Sequence, residues 1–233
     1  MQQECWVLLD DCNATVEVPT SRLYCGYSQT LECADAAGLV AWIAQVRLAL
    51  EGGGFAVLLC DYELGSGLHG IAARPGAGQG PAAQALLFAQ CRRLSRQEAD
   101  DWLAAQAGDA PAGIAGLEAG EDAQHFAAAV GRIHAWLEAG DAYQVNHTWR
   151  FHFDAWGEPA ALYRRLRARQ PVPYGALALL PDGAALLSLS PELFMRQEGR
   201  TLTAQPMKGT APAAGDAALD AVSAARMQAD PKT

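Results

Sequence analysis

Apolar residues recur every three or four positions in some stretches of this chain and alternate or run together in others. Leu39, Ile43, Val46 and Leu50 share one face of a predicted helix over Ala36–Leu50, which Gly52, Gly53 and Gly54 stop. Phe126, Val130, Ile133 and Leu137 mark a strong amphipathic helix that ends at Gly140. Ser95 followed by Glu98 forms a capping box, in which each residue satisfies a free amide of the first turn. It starts a third helix through about Ala107. Further helices are expected over Glu158–Gln170 and the Ala-rich stretch Asp216–Gln228.

Short apolar runs bounded by turn residues predict the strands. Residues 1–33 read as short strands and turns, Phe55–Cys60 as a buried strand, and Ala85–Leu94 and Tyr143–Phe153 as two more. Strands at 175–180, 184–190, 192–198 and 201–205 read as a meander. Arg74–Pro81 is expected to be a loop, and Gly108–Gly120, rich in Gly, Ala and Pro, the best linker. Strands and helices follow in mixed order without a steady βαβ rhythm, which predicts an α+β fold. The expected division is an N-terminal subdomain over 1–110, a linker over 111–120 and a second domain over 121–233.

At 233 residues, 51% hydrophobic, the chain can form one large domain or two small ones. A net charge of −9 argues against a nucleic-acid partner, because phosphate binding needs clustered Lys and Arg. The cluster Arg164, Arg165, Arg167 and Arg169 is expected on a solvated helix face. No apolar run is long enough for a membrane span, and the start MQQECWVLLDD is no signal peptide, so the expected compartment is the cytoplasm. Six scattered cysteines read as free thiols, and five histidines form no ligand pair at helical spacing. Gly65, Gly67 and Gly70 match G-x-G-x-x-G, but a dinucleotide site needs a helix opening at that turn. The continuation IAARPGAGQGP cannot make one.

The richest chemistry lies in SPELFMRQEGRTLTAQPMKGT, Ser190–Thr210. Two apolar runs there lead to Pro191-Glu192 and to Pro206-Met207-Lys208-Gly209-Thr210. A carboxylate and an amine thus stand at the ends of two neighbouring strands. A lysine shielded from water can act as a nucleophile, and a solvated surface lysine is the alternative for those residues taken alone.

This block resembles the signature of the chorismate-utilising enzymes, which read SPE, a short hairpin, then P-hydrophobic-[K/A]-G-[T/S]. Four other segments are similar in the same order: Tyr62–Gly65 (YELG, as a strand end), Gly140–Phe151, Pro171–Gly175 and Leu187–Phe194. The resemblance runs from roughly Phe55 to Thr210 and implies a layered α+β fold with antiparallel sheets. It also implies that as much chain again follows Thr233, holding the glutamates that bind magnesium. A sheet cut mid-fold would be poorly soluble.

Three positions sort the family's chemistries. Gln144 stands where water-using members carry a basic lysine, and glutamine cannot act as a general base. Lys208 stands where anthranilate-forming members usually have alanine. In members that aminate chorismate at ring carbon 4, this lysine is proposed to add covalently to ring carbon 2. Glu192 corresponds to the general acid on the departing 4-hydroxyl, a role served by a raised carboxyl pKa. Gly209 and Thr210 are expected to donate near the ligand.

The resemblance also implies partners: chorismate, and a glutamine amidotransferase subunit supplying ammonia. Several members hold tryptophan beside a P-x-P-[YF] segment, matched here by Pro173 and Tyr174. The companion leucine-glutamate-serine motif is expected near Leu31-Glu32-Cys33, which brings in Glu32. Formation of anthranilate or isochorismate, and a non-catalytic binding module, are the alternatives to amination at carbon 4.

Overall fold

A computed structural model describes residues 4–72, 80–206 and 211–229. The chain forms two compact units, Met1–Ala99 with Arg169–Thr233, and Asp100–Ala168. The first unit is discontinuous in sequence and the second is one continuous stretch, whereas the expected division was into consecutive blocks.

The first unit is built on a six-stranded antiparallel sheet. Its strands are β1 (Trp6–Asp10), β2 (Ser21–Cys33), β3 (Phe55–Cys60), β4 (Ala83–Leu94), β7 (Tyr174–Leu179) and β8 (Ala185–Ser190), in the order β3-β4-β2-β1-β7-β8. Sequence-distant β1 and β7 are direct neighbours, with Leu8 opposite Leu177. Val7, Tyr24, Leu86, Phe88 and Ala178 form one buried cluster of this sheet. Phe55–Cys60 is a strand as expected, but it lies at the sheet edge, and only Val57 is buried.

Helix α1 (Leu39–Leu50) follows a 3-10 turn at Ala36–Gly38. Its buried residues are Trp42 and Val46, whereas Ile43, expected in the core, is 43% exposed. The helix is turned so that Trp42 Nε1 donates to the Leu31 carbonyl of β2 at 3.0 Å. A buried indole needs a partner for its N–H, and this bond supplies one. The YELG segment is not a strand end: it opens the short helix α2 (Tyr62–Leu68), with Gly65 and Gly67 inside it. A Cβ on Gly67 would meet Ala36 at 2.8 Å, so close approach accounts for that glycine. Residues 74–79 of the expected 74–81 loop lie outside the described residues.

The capping box forms as expected. Helix α3 (Arg96–Ala107) begins where the Ser95 amide and hydroxyl donate to Glu98 Oε2 at 2.8 and 2.7 Å.

In the second unit the expected linker is in part a strand. β5 (Gly113–Ala119) pairs antiparallel with β6 (Phe151–Trp156). Gly113 permits this, because a Cβ there would lie 2.9 Å from the Trp156 ring. Helix α4 (Ala123–Ala139) is capped by Asp122, which accepts from the His125 amide at 2.8 Å, and closed by Gly140 at φ +78. Left-handed backbone at a helix end favours glycine. Its apolar stripe is largely uncovered: Phe126, Trp136 and Leu137 are exposed. Residues 143–150, expected as strand, have no ladder partner among the described residues, because pairing stops at Ala119↔Phe151. Unpaired backbone must find water or side chains instead.

Helix α5 (Pro159–Arg169) carries the arginine cluster, which is not a free solvated face. Arg164 and Arg167 both reach Asp100 Oδ1, at 3.5 and 3.2 Å, and Arg165 donates to the Ala112 carbonyl. Arg167 is 8% exposed. The cations brace the unit.

The expected meander divides in two. β7 and β8 join the large sheet, while β9 (Leu193–Glu198) and β10 (Thr201–Gln205) form a separate hairpin. Helix α6 (Ala217–Ala229) matches the predicted tail helix. No helix among the described residues is long and apolar enough to cross a membrane.

Candidate active site

Pro191, which has no N–H for a ladder, separates β8 from β9, and a local turn forms around it. The Ser190 hydroxyl donates to the Glu192 carbonyl at 3.1 Å and accepts from the Glu192 amide at 3.3 Å. This fixes the backbone of the glutamate. In the hairpin Leu193 stands opposite Gln205, so the same register carries Pro206 opposite Glu192.

Both line an open cleft of about 470 Å³ with Ser190, Leu193, Phe194 and Ala204. Phe194 is 88% exposed. A carboxylate here can give or take a proton on a small ligand held against an apolar wall. Lys208, Gly209 and Thr210, the expected nucleophile and donors, lie outside the described residues.

Gln144 belongs to the second unit. It is exposed in the irregular segment before β6, with its side-chain amide 3.5 Å from Asn146 Oδ1.

Another cavity of about 470 Å³ lies where the large sheet meets the hairpin. Pro173 and Tyr174 line it, as do Leu9, Asp10 and Asp11 at the end of β1. Glu32 does not. It stands near the far end of β2, opposite Gln84 and hydrogen-bonded to it at 3.4 Å. The β1 ladders put Arg22, not Glu32, level with the Tyr174 end of the sheet. At about 3.3 Å per residue along a strand, roughly 30 Å separates Glu32 from the cavity. Glu32, expected beside Pro173 and Tyr174, is therefore not brought to them, and Leu9, Asp10 and Asp11 lie there instead. An apolar run ending in two acids was the signal in the sequence, but only the pairing of β1 with β7 brings it beside Tyr174.

The chemistry of this cavity is mixed. Arg22 and Arg93 face each other directly across β2 and β4 and both line it, with Arg196 of the hairpin. Directly opposed like charges repel, and a carboxylate between them relieves that repulsion. Asp10 is buried, and Asp11 accepts from the Thr20 hydroxyl at 2.7 Å. Acids and guanidinium groups lining one cavity suit a small zwitterion.

All six cysteines are among the described residues and are free. Burial pushes the Cys5 thiol up to about 11, which makes it inert as a nucleophile. Among the described residues no group of three or more His, Cys, Asp or Glu could hold a metal ion.

The profile of the family described as chorismate binding enzyme matches residues 4–233. Aminodeoxychorismate synthase component 1 of Salmonella typhimurium is 39% identical over 89 residues, 38% of this chain and 19% of that protein. Anthranilate synthase component 1 of Streptomyces coelicolor is 35% identical over 120 residues, 52% of this chain and 24% of that protein. A 2-amino-4-deoxychorismate synthase of Streptomyces globisporus is 39% identical over 108 residues, 46% of this chain and 21% of that protein. The chain thus spans a quarter or less of these relatives' lengths, and their names divide among different products.

Proposed function

Because the chain belongs to the chorismate binding enzyme family, we propose that it serves as component I of an aminodeoxychorismate synthase. The reaction is chorismate plus ammonia giving 4-amino-4-deoxychorismate and water, on the route to 4-aminobenzoate and folate. The observation that carries this reading is the shared cleft of Glu192 and Pro206, with Lys208 two residues further along the chain.

A hydroxyl is a poor leaving group unless protonated. Glu192, at the cleft wall, donates that proton to the 4-hydroxyl of chorismate, which departs as water. As it leaves, the neutral amine of Lys208 forms a bond to ring carbon 2. Ammonia then bonds to carbon 4, the lysine–carbon bond breaks with its electron pair returning to the Lys208 nitrogen, and the new ammonium at carbon 4 gives a proton back to the Glu192 carboxylate. Alanine at 208 would offer no such covalent route. Gln144 binds substrate and cannot activate water, which disfavours isochorismate formation. Gly209 and Thr210 offer donors to the ligand.

Magnesium belongs to this reading as the ion that neutralises a substrate carboxylate. The described residues supply no cluster fit to hold it, so no step is routed through it. Ammonia comes from a glutamine amidotransferase partner, and the reaction proceeds in the cytoplasm. The mixed-charge cavity beside Tyr174 is the place for tryptophan, as regulator or structural ligand.

Incubating the protein with chorismate, magnesium and ammonium, and identifying products by mass spectrometry, tests the reading. 4-Amino-4-deoxychorismate that disappears in Lys208→Ala supports it. Anthranilate as product would move the chain to the branch of the Streptomyces coelicolor relative. Chorismate binding without turnover would leave a binding module.

A further inference from the structure

The segment 141–150 has no ladder partner among the described residues, yet it carries Gln144. Beyond the close of α4, hydrogen bonds at two of its residues moor it. The Gly120 amide donates to the Arg150 carbonyl at 2.7 Å, extending the β5–β6 register by one step. Beyond that point the backbones part, and a side-chain pair takes over: His147 Nε2 lies 2.8 Å from Glu121 Oε2.

This pair differs from an ordinary surface contact. The two side chains are 27% and 17% exposed. The imidazole sits against Phe126 of α4 at 5.8 Å and Trp149 at 5.9 Å, and those two rings meet edge to face at 5.3 Å. A carboxylate–imidazole bond between largely covered side chains, with rings against the imidazole, is partly shielded from water, whereas exposed ion pairs contribute little. On the other side of Gln144, Gly140 closes α4. His147, with Trp149 packed on Phe126 beside it, therefore ties the Gln144 stretch to the body of its unit.

We propose that Glu121 and His147 are a positioning pair, whose bond sets the path of residues 143–149 and so presents Gln144 to chorismate. The proposal rests on the reading of Gln144 as a substrate-binding residue.

The test uses the whole protein with His147→Phe, which keeps ring contacts but cannot bond, together with Glu121→Ala, the double variant and His147→Gln. Amide hydrogen exchange is followed across the chain, and kcat and KM for chorismate are measured. Exchange of the Gly120 amide, whose bond to the Arg150 carbonyl holds the end of the segment, should quicken about tenfold in either single variant, the scale of one charge-assisted hydrogen bond. The double variant should add nothing further, His147→Gln should recover most of the protection, and α4 and the β5–β6 ladder should stay unchanged. KM should rise about fivefold with kcat within about twofold, as for a lost ground-state contact. Unchanged exchange in the singles, additive effects in the double, or an unaltered KM overturns the proposal. If the unmodified protein neither binds nor converts chorismate, the functional reading fails, and the proposed presentation of Gln144 to chorismate falls with it. The exchange data then still decide whether the pair moors the segment.

Discussion

Tyr174 donates its phenolic hydrogen to the side-chain carbonyl of Gln205 across 3.0 Å. That bond joins β7 of the six-stranded sheet to β10 of the hairpin whose other strand begins beside Glu192. It lies one residue from Pro206, so it helps hold the Glu192 cleft to the six-stranded sheet. Tyr174 is half-buried and hydrogen-bonded, and it lines a cavity, so it is more than a piece of core.

Tyr174→Phe keeps the ring and loses only this bond. Stability should fall by about 0.5–1 kcal/mol, the net value of one such hydrogen bond. Amide exchange should quicken in residues 201–205 and stay unchanged in β1 and β2, as mass spectrometry of the exchanged protein would register.

Glu192→Gln retains size and removes the dissociable proton. On the proposed mechanism kcat for 4-amino-4-deoxychorismate should drop by about 10² to 10⁴, the usual worth of general acid catalysis. KM for chorismate should change little. A variant of undiminished kcat would take the acid role away from Glu192.

The Ser95–Glu98 box carries a pH signature. Hydrogen bonds from the Ser95 amide and then its hydroxyl hold the Glu98 carboxyl below its ordinary value. A depressed folded-state pKa adds stability above the unfolded pKa, and that stability is lost as pH falls through the folded value. The melting difference between the unmodified protein and Glu98→Ala should therefore be present at neutral pH and shrink below about pH 4, the ordinary carboxylate range. Ser95→Ala should cost about 1 kcal/mol at neutral pH, measured by urea denaturation.

Gly157 sits at φ +82, and a Cβ there would lie 2.5 Å from the Pro111 carbonyl oxygen and 2.7 Å from Ala112. Gly157→Ala combines left-handed strain with a backbone clash and should destabilise the protein by about 2–4 kcal/mol. A urea midpoint equal to that of the unmodified protein would contradict the geometry.

Elements that depend on neighbouring residues were legible in the sequence. The α3 cap and the left-handed glycine closing α4 rest on contacts within a few residues, and the strands β4, β7, β8, β9 and β10 show as apolar runs bounded by turn residues whatever they pair with, so local pattern predicts them. The face that α1 buries was misread because the pattern shows a stripe but not the partner. Packing on β2 selects Trp42 over Ile43. β5 was hidden in a Gly- and Ala-rich stretch whose strand character comes from β6, forty residues on, and from the Trp156 ring over Gly113.

The candidate site divides along the same line. The order of residues alone determined the chemistry available: the carboxyl of Glu192, the amine of Lys208, the non-basic amide of Gln144 and the family to which they point. Only the tertiary structure decided company. It seated Leu9, Asp10 and Asp11 beside Tyr174 and left Glu32 at the other end of β2, and it set His147 against Glu121. Those partners are joined by long-range strand pairing and ring packing, whose energy depends on which surfaces meet, and no local spacing in the sequence records that.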